Sequence, residues 1–317
     1  MNSIKPDIKE MAAIVNDEIA GSKNKAVFSV LIFTLLRTLL SVISVIPVMA
    51  AYITNSSNKL PVLIITFAVS FIVQTLLGVI QYGLTSIFDL LTKKEFVTLG
   101  FLFIGFKKDQ KRVFITTILY NLFLILLTVI LVLAASSVFY STPQGQNALI
   151  AYSQTKDFSA LNTFIQSFSV VLIFVILLLV ILLFPFVFRY LNLINDSNIS
   201  SGKALFESYS FTLKHFFKYI GLLIYSTKIL LAVFVICNVV SYFIPEHLSF
   251  LSSIISIVAF IAEINILVRV NFCNVIFYYS YKRPQAIFKN YEEENNDNDT
   301  KLLERSSETD GEMDSES

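Results

Sequence analysis

Tryptophan is missing from the 317 residues, histidine and cysteine occur twice each, and charged residues make up only 15%. Cys237 and Cys273 both fall inside apolar stretches, which is not the framework of a disulfide-stapled secreted domain, and they are expected to be buried, reduced fillers. His215 and His247 lie in separate segments, so neither a two-histidine metal site nor a histidine-based triad is in view. The chain carries no Walker loop, no dinucleotide glycine fingerprint and no HExxH motif. The expectation is therefore a protein that is not an enzyme, with no catalytic residue, no cofactor and no metal. Asn55-Ser56-Ser57 matches a glycosylation sequon, which matters only in a secretory eukaryotic host.

What the chain has in abundance is apolar mass: 55% of its residues are hydrophobic and 30 are phenylalanine. That balance points to lipid as the solvent. The start, MNSIKPDIKEMAAIVNDEIAGSKNK, is polar and has no apolar run with a small-residue cleavage site, so the first span is expected to be retained. Crossing a bilayer core of about 30 Å takes roughly 20 mainly apolar residues in a helix that satisfies its own backbone. Six segments qualify, at about 26–53, 60–88, 113–140, 161–191, 219–243 and 248–279. Their length allows tilt, or a kink at Pro47 or Pro185.

Basic residues orient the six spans, because short cytoplasmic loops are rich in Lys and Arg. Four fall in the N-terminal segment, six in 89–112, four in 189–218 and five in the tail, against Lys59 and Lys156 on the other side. Both termini are thus expected in the cytoplasm of a cell membrane. The expected fold class is all-α: a polytopic membrane protein of six transmembrane helices, with two cytoplasmic amphipathic segments and a disordered acidic C-terminal tail. Its parts are a cytoplasmic segment 1–25, a transmembrane domain 26–281 and the tail 282–317. From Tyr291 the tail holds eleven acidic and two basic residues, a net −9, which leaves +10 for the rest of a chain whose total is +1. A solvated tail, or one that docks on a basic cytoplasmic protein partner, fits that composition; nothing points to nucleic acid.

In the second large loop, GKALFESYSFTLKHFFK, Lys203, Glu207, Ser210, Lys214 and Lys218 recur at helical spacing, with Leu205, Tyr209, Leu213, Phe216 and Phe217 opposite them. This predicts an interfacial helix, capped by Asp196, Ser197, Asn198 or Ser200. The first loop, LLTKKEFVTLGFLFIGFKKDQKR, is more apolar and predicts a short re-entrant or headgroup-level element around Gly100 and Gly105. Lys107, Lys108, Lys111, Arg112, Lys214 and Lys218 form the expected lipid-facing basic cluster, each worth about 1 kcal/mol beside anionic headgroups. An offset of 107 residues matches Asp89 with Asp196, Lys107 with Lys214, Lys111 with Lys218 and Asn121 with Lys228. It outlines a parallel repeat of 60–140 and 161–243, which is a transporter architecture or plain structural inheritance.

Four charges remain inside spans: Arg37, Lys228, Glu263 and Arg269. An ionised group at the bilayer centre costs at least about 2.5–3.5 kcal/mol on insertion scales. Arg37, Lys228 and Glu263 reach similar depths and form the expected intramembrane charge network, whereas Arg269 is near enough to the cytoplasm to snorkel. Gln74, Gln81, Asn121 and Gln166 are expected in interhelical hydrogen bonds. Two functions follow: a scaffold, assembly or regulatory protein working through its cytoplasmic face, or a small-molecule or ion permease using Arg37, Lys228 and Glu263.

Three stretches, AGSKNKAVFSVLIFTLL, FLFIGFKK and FRYLNLINDSNISSGKALFESYSFTLKHFFKYI, resemble the uncharacterised bacterial multi-pass proteins grouped as DUF975. In the third, Ile199, Ser200, Ala204, Leu205, Ser208 and Lys214 fall at matching places, and the likeness covers most of residues 5–280. The chain departs from that pattern where LVLAASS replaces a Pro-Gly after the third span and Ser197 replaces the proline after Asp196. The resemblance implies a bacterial plasma-membrane protein of this architecture and no particular chemistry.

Overall fold

A computed structural model describes residues 7–53, 59–107, 110–143, 146–147, 150, 173–245 and 248–283. Their regular structure is helical, with no strand among them. The helices are α1 (Ile8–Ile53), α2 (Lys59–Thr92), α3 (Lys111–Tyr140), α4 (173–183), α5 (Arg189–Asn195), α6 (Ser201–Lys214), α7 (Phe216–Phe243) and α8 (Ser249–Lys282), with a 3-10 helix at Leu99–Phe106. Six stretches are long and apolar enough to cross a membrane: Ile8–Pro47, Ile64–Thr92, Lys111–Ser137, Ile173–Asn195, Phe216–Phe243 and Ser249–Lys282. This is an all-α polytopic membrane protein. The acidic tail from 284, Lys108, Lys156, Gln166, His247 and the sequon at Asn55 lie outside the described residues.

The chain divides into two compact units. The first comprises Met1–Val30, Ile87–Thr98 and Phe217–Ser317. Its N-terminal part is helical from Ile8 and continues without a break into the first span. Asp7 and Glu10 start it: the Asp7 N–H donates to Glu10 Oε2 at 3.1 Å, and the Ile8 N–H to Asp7 Oδ1 at 2.7 Å. Met11, Ile14, Val15, Glu18, Ala26 and Val30 then form a buried stripe at helical spacing. At 46 residues α1 is about 69 Å long, more than twice a bilayer core, and Pro47 does not interrupt it.

Within the same unit α7 and α8 run antiparallel in a single register. Tyr219 hydrogen-bonds Asn274, and Ser241 meets Ser252 at 3.1 Å, equal steps of 22 residues along each helix. Phe88 packs edge-on against Phe272, and Lys94, the one non-glycine residue with positive φ among those described (58°), closes α2. The Glu95 N–H reaches the Leu90 carbonyl and the Lys94 N–H the Leu91 carbonyl, both at 3.0 Å, a Schellman ending.

The second unit comprises Leu31–Ser86 and Leu99–Phe216. Its core is built from Val79, Tyr82, Val113, Tyr190, Leu193, Ile199 and Ala204. Glycines on α2 let backbone approach closely. A Cβ at Gly83 would run into the Leu102 carbonyl, and one at Gly78 into the Thr117 methyl. The 99–106 segment is a 3-10 helix seated on α2, with Leu102 wholly buried and Phe103 and Phe106 exposed.

Candidate functional site

Pro185 interrupts the fourth span. A proline lacks an N–H and clashes with the preceding turn, so α4 gives way to one 3-10 turn, Phe184–Phe186, before the chain resumes as α5. Such a break strands backbone groups that hydrocarbon cannot satisfy. Here α6 satisfies them. Ser208 Oγ donates to the Pro185 carbonyl at 2.9 Å and accepts the Phe188 N–H at 3.0 Å, while Thr212 Oγ1 donates to the same carbonyl at 2.8 Å. Asn192 Nδ2 adds a bond to the Ala204 carbonyl at 3.0 Å.

These contacts decide which side of α6 packs inward. Its buried face is Ser201, Ala204, Ser208 and Thr212, while Leu205 and Tyr209 are half-buried and Phe206, Leu213 and, beyond its end, Phe217 are exposed. Small hydroxyl-bearing residues face inward because the groups opposite them are polar backbone. Of the candidate caps, Ser200 serves, accepting the Lys203 N–H.

Arg112 is held as well. Its Nη1 donates to the carbonyls of Asp196 (3.1 Å) and Ile199 (3.3 Å), and its own carbonyl accepts from Ser201 Oγ at 3.1 Å, which fastens the start of α3 to the α5–α6 turn. Lys107, Lys111 and Lys214 are exposed. Lys218, on α7 in the other unit, is exposed and lies 5.8 Å from the Tyr281 ring centre.

The most unusual group is Arg189, which the sequence reading counted only as a loop cation. It is 7% exposed, the only buried charged side chain among the described residues of its unit. Its guanidinium carbon lies 4.1 Å from the Tyr120 ring centre and 4.3 Å from that of Tyr190. Nη1 donates to the Phe186 carbonyl at 3.0 Å and Nη2 to Gln81 Oε1 at 3.4 Å, and Nε has no partner. No carboxylate pairs with it among the described residues. Nearby, Thr117 and Tyr190 share a hydrogen bond at 3.0 Å, and Asn121 Nδ2 donates to Thr75 Oγ1 at 3.2 Å, an interhelical use of one of the span amides.

Of the span charges, Arg37 is exposed on α1. Lys228 and Glu263, in the other unit, are both exposed, and no ion pair joins them. In the α7–α8 register they lie only two residues apart in level, but Lys228 is two and a half turns from Tyr219 and so on the far side of α7. It sits instead 4.6 Å from the Tyr225 ring centre. Arg269 donates to Asn16 Oδ1 at 2.7 Å, on the N-terminal extension of α1. Among the described residues, no group of three His, Cys, Asp or Glu side chains is placed to hold a metal ion.

Six apolar helices and a span whose broken backbone is repaired from within define an integral, multi-pass membrane protein. Comparison with protein-family models, with curated proteins and with solved structures finds no match.

Proposed function

We propose that this membrane protein is a non-catalytic scaffold or assembly factor of the cell membrane, oriented with both termini in the cytoplasm and working through that face. One observation carries the reading. The inner side of α6 is committed to the Pro185 break, which leaves Lys203, Phe206, Ser210, Leu213 and Lys214 presented outward on a fixed support. A mixed apolar and basic surface of this kind suits anionic headgroups or a membrane-proximal protein partner. The architecture implied by the DUF975 resemblance agrees with that reading and adds no reaction. Crosslinking with mass spectrometry in native membranes tests it: Phe206→Ser with Leu213→Ser is expected to remove crosslinked partners while the protein stays folded. Crosslinks unchanged by the pair of substitutions would argue against it.

A permease is the second reading, favoured by the discontinuous fourth span, since broken helices occur at transporter sites, and by the exposed span charges Arg37, Lys228 and Glu263. Solute flux into proteoliposomes that is abolished by Glu263→Gln would move the assignment to transport.

A further inference from the structure

We propose that Arg189 is the binding group for one phosphate, most naturally the phosphodiester of an anionic lipid headgroup, at the edge now closed by Gln81. The lipid arm rests on the membrane reading above. A guanidinium keeps its charge, and burying one without a counter-ion is strongly unfavourable. Among the described residues every partner of Arg189 is neutral: one carbonyl, two rings and one amide. The rings of Tyr120 and Tyr190 lie close to the guanidinium, and the Phe186 carbonyl uses Nη1, so the remaining donors are Nη2 and the unpartnered Nε.

That Nε–Nη2 edge is the fork geometry that grips two oxygens of a phosphate. Its present occupant is weakly held. Gln81 Oε1 stands 3.4 Å from Nη2, at the long limit of a hydrogen bond, and the Gln81 side chain is itself exposed. A rotation of Gln81 about its side-chain bonds would open the edge, and its amide oxygen marks where an anionic oxygen would sit. A single fixed positive charge matches the single negative charge of a phosphodiester. Tyr120 lies nine residues into α3, about 14 Å by helix rise, so the site is on the third of the span next to the basic loop.

The test uses the full chain purified in a mild non-ionic detergent. Native mass spectrometry and thermal unfolding are recorded with added phosphatidylglycerol, phosphatidylcholine or inorganic phosphate. Wild-type protein is expected to retain one phosphatidylglycerol at least ten-fold more tightly than phosphatidylcholine and to unfold several degrees higher with it. Gln81→Glu places a carboxylate of the chain's own on the edge. It is expected to raise the lipid-free unfolding temperature and to weaken phosphatidylglycerol retention at least ten-fold. Gln81→Ala, which removes the occupant, is expected to tighten retention.

If inorganic phosphate stabilises wild type but not Gln81→Glu, and displaces the lipid, the site stands and its ligand is free phosphate. Retention of phosphatidylglycerol that is the same in wild type, Gln81→Glu and Gln81→Ala overturns the proposal, whether or not Arg189→Gln folds. Membrane integration is read separately, by resistance of the chain to extraction at alkaline pH, so failure of the site and failure of the membrane reading are distinguishable.

Discussion

Tyr279, near the end of α8, donates its hydroxyl to Asp89 Oδ1 at 2.6 Å, while Lys93 holds Asp89 Oδ2 at 2.6 Å from one turn further along α2. Asp89 is 2% exposed and Lys93 is 39% exposed, so the two bonds differ in worth although their lengths are equal. Removing the buried hydroxyl leaves a buried carboxylate under-satisfied, whereas removing the lysine frees a group already half in water.

Tyr279→Phe is therefore expected to cost about 1.5–3 kcal/mol and Lys93→Ala no more than about 1 kcal/mol, read from chemical unfolding in detergent. Equal losses would mean that the exposed ion pair secures Asp89 as much as the buried hydroxyl does.

Ser208 both donates to the Pro185 carbonyl and accepts from the Phe188 N–H, while Thr212 divides its one hydroxyl proton between that carbonyl and the Ser208 carbonyl, each at 2.8 Å. Ser208→Ala is expected to lose about 1–2 kcal/mol and Thr212→Val less, because Ser208 still satisfies the carbonyl in the latter. The double variant is expected to lose more than the two added together, since only then is the carbonyl orphaned.

Glycine replacements separate close approach from mere helix flexibility. Gly83→Ala drives a methyl into the Leu102 carbonyl and is expected to cost about 1–3 kcal/mol or more. Gly21→Ala, in open space within α1, is expected to stabilise by about 0.5–1 kcal/mol. Unfolding temperatures moving in opposite directions would check both.

Lys228 and Glu263 are expected to act independently. In a double-mutant cycle of Lys228→Gln and Glu263→Gln, losses should add to within about 0.5 kcal/mol, because α7 stands between the lysine and its nominal partner. A coupling well above that would support the charge network.

Orientation is tested by single-cysteine labelling on intact cells. A cysteine at Ile150 is expected to react from outside and one at Phe217 only after permeabilisation; the reverse pattern would invert the topology.

The six spans and the helical character of 201–214 were legible in the sequence because they rest on average apolarity and period, which need no knowledge of neighbours. Facing was less legible. On 201–214 the period separates a polar from an apolar side but does not say that Ser208 and Thr212 turn inward, because the groups they meet belong to a proline break elsewhere in the chain. Pro47 and Pro185 look alike as sequence, but α1 runs through the first and the second ends α4. Arg189 was counted as a loop cation and Arg112 as a lipid-facing one, since a cation beside a span reads as surface until Tyr120, Gln81 or the Asp196 carbonyl is placed next to it. The stripe Met11, Ile14, Val15, Glu18 did carry a signal, a helical period masked by the polar residues between.

The tie between α6 and the Pro185 turn also sets what can slide. A continuous span can shift along its own axis with its backbone bonds intact, but α4 ends where three side-chain bonds from α6 begin. Any piston-like movement of that span must carry α6 with it or break those bonds together, so the two helices travel as one body, and a push on the exposed side of α6 is delivered directly to the fourth span.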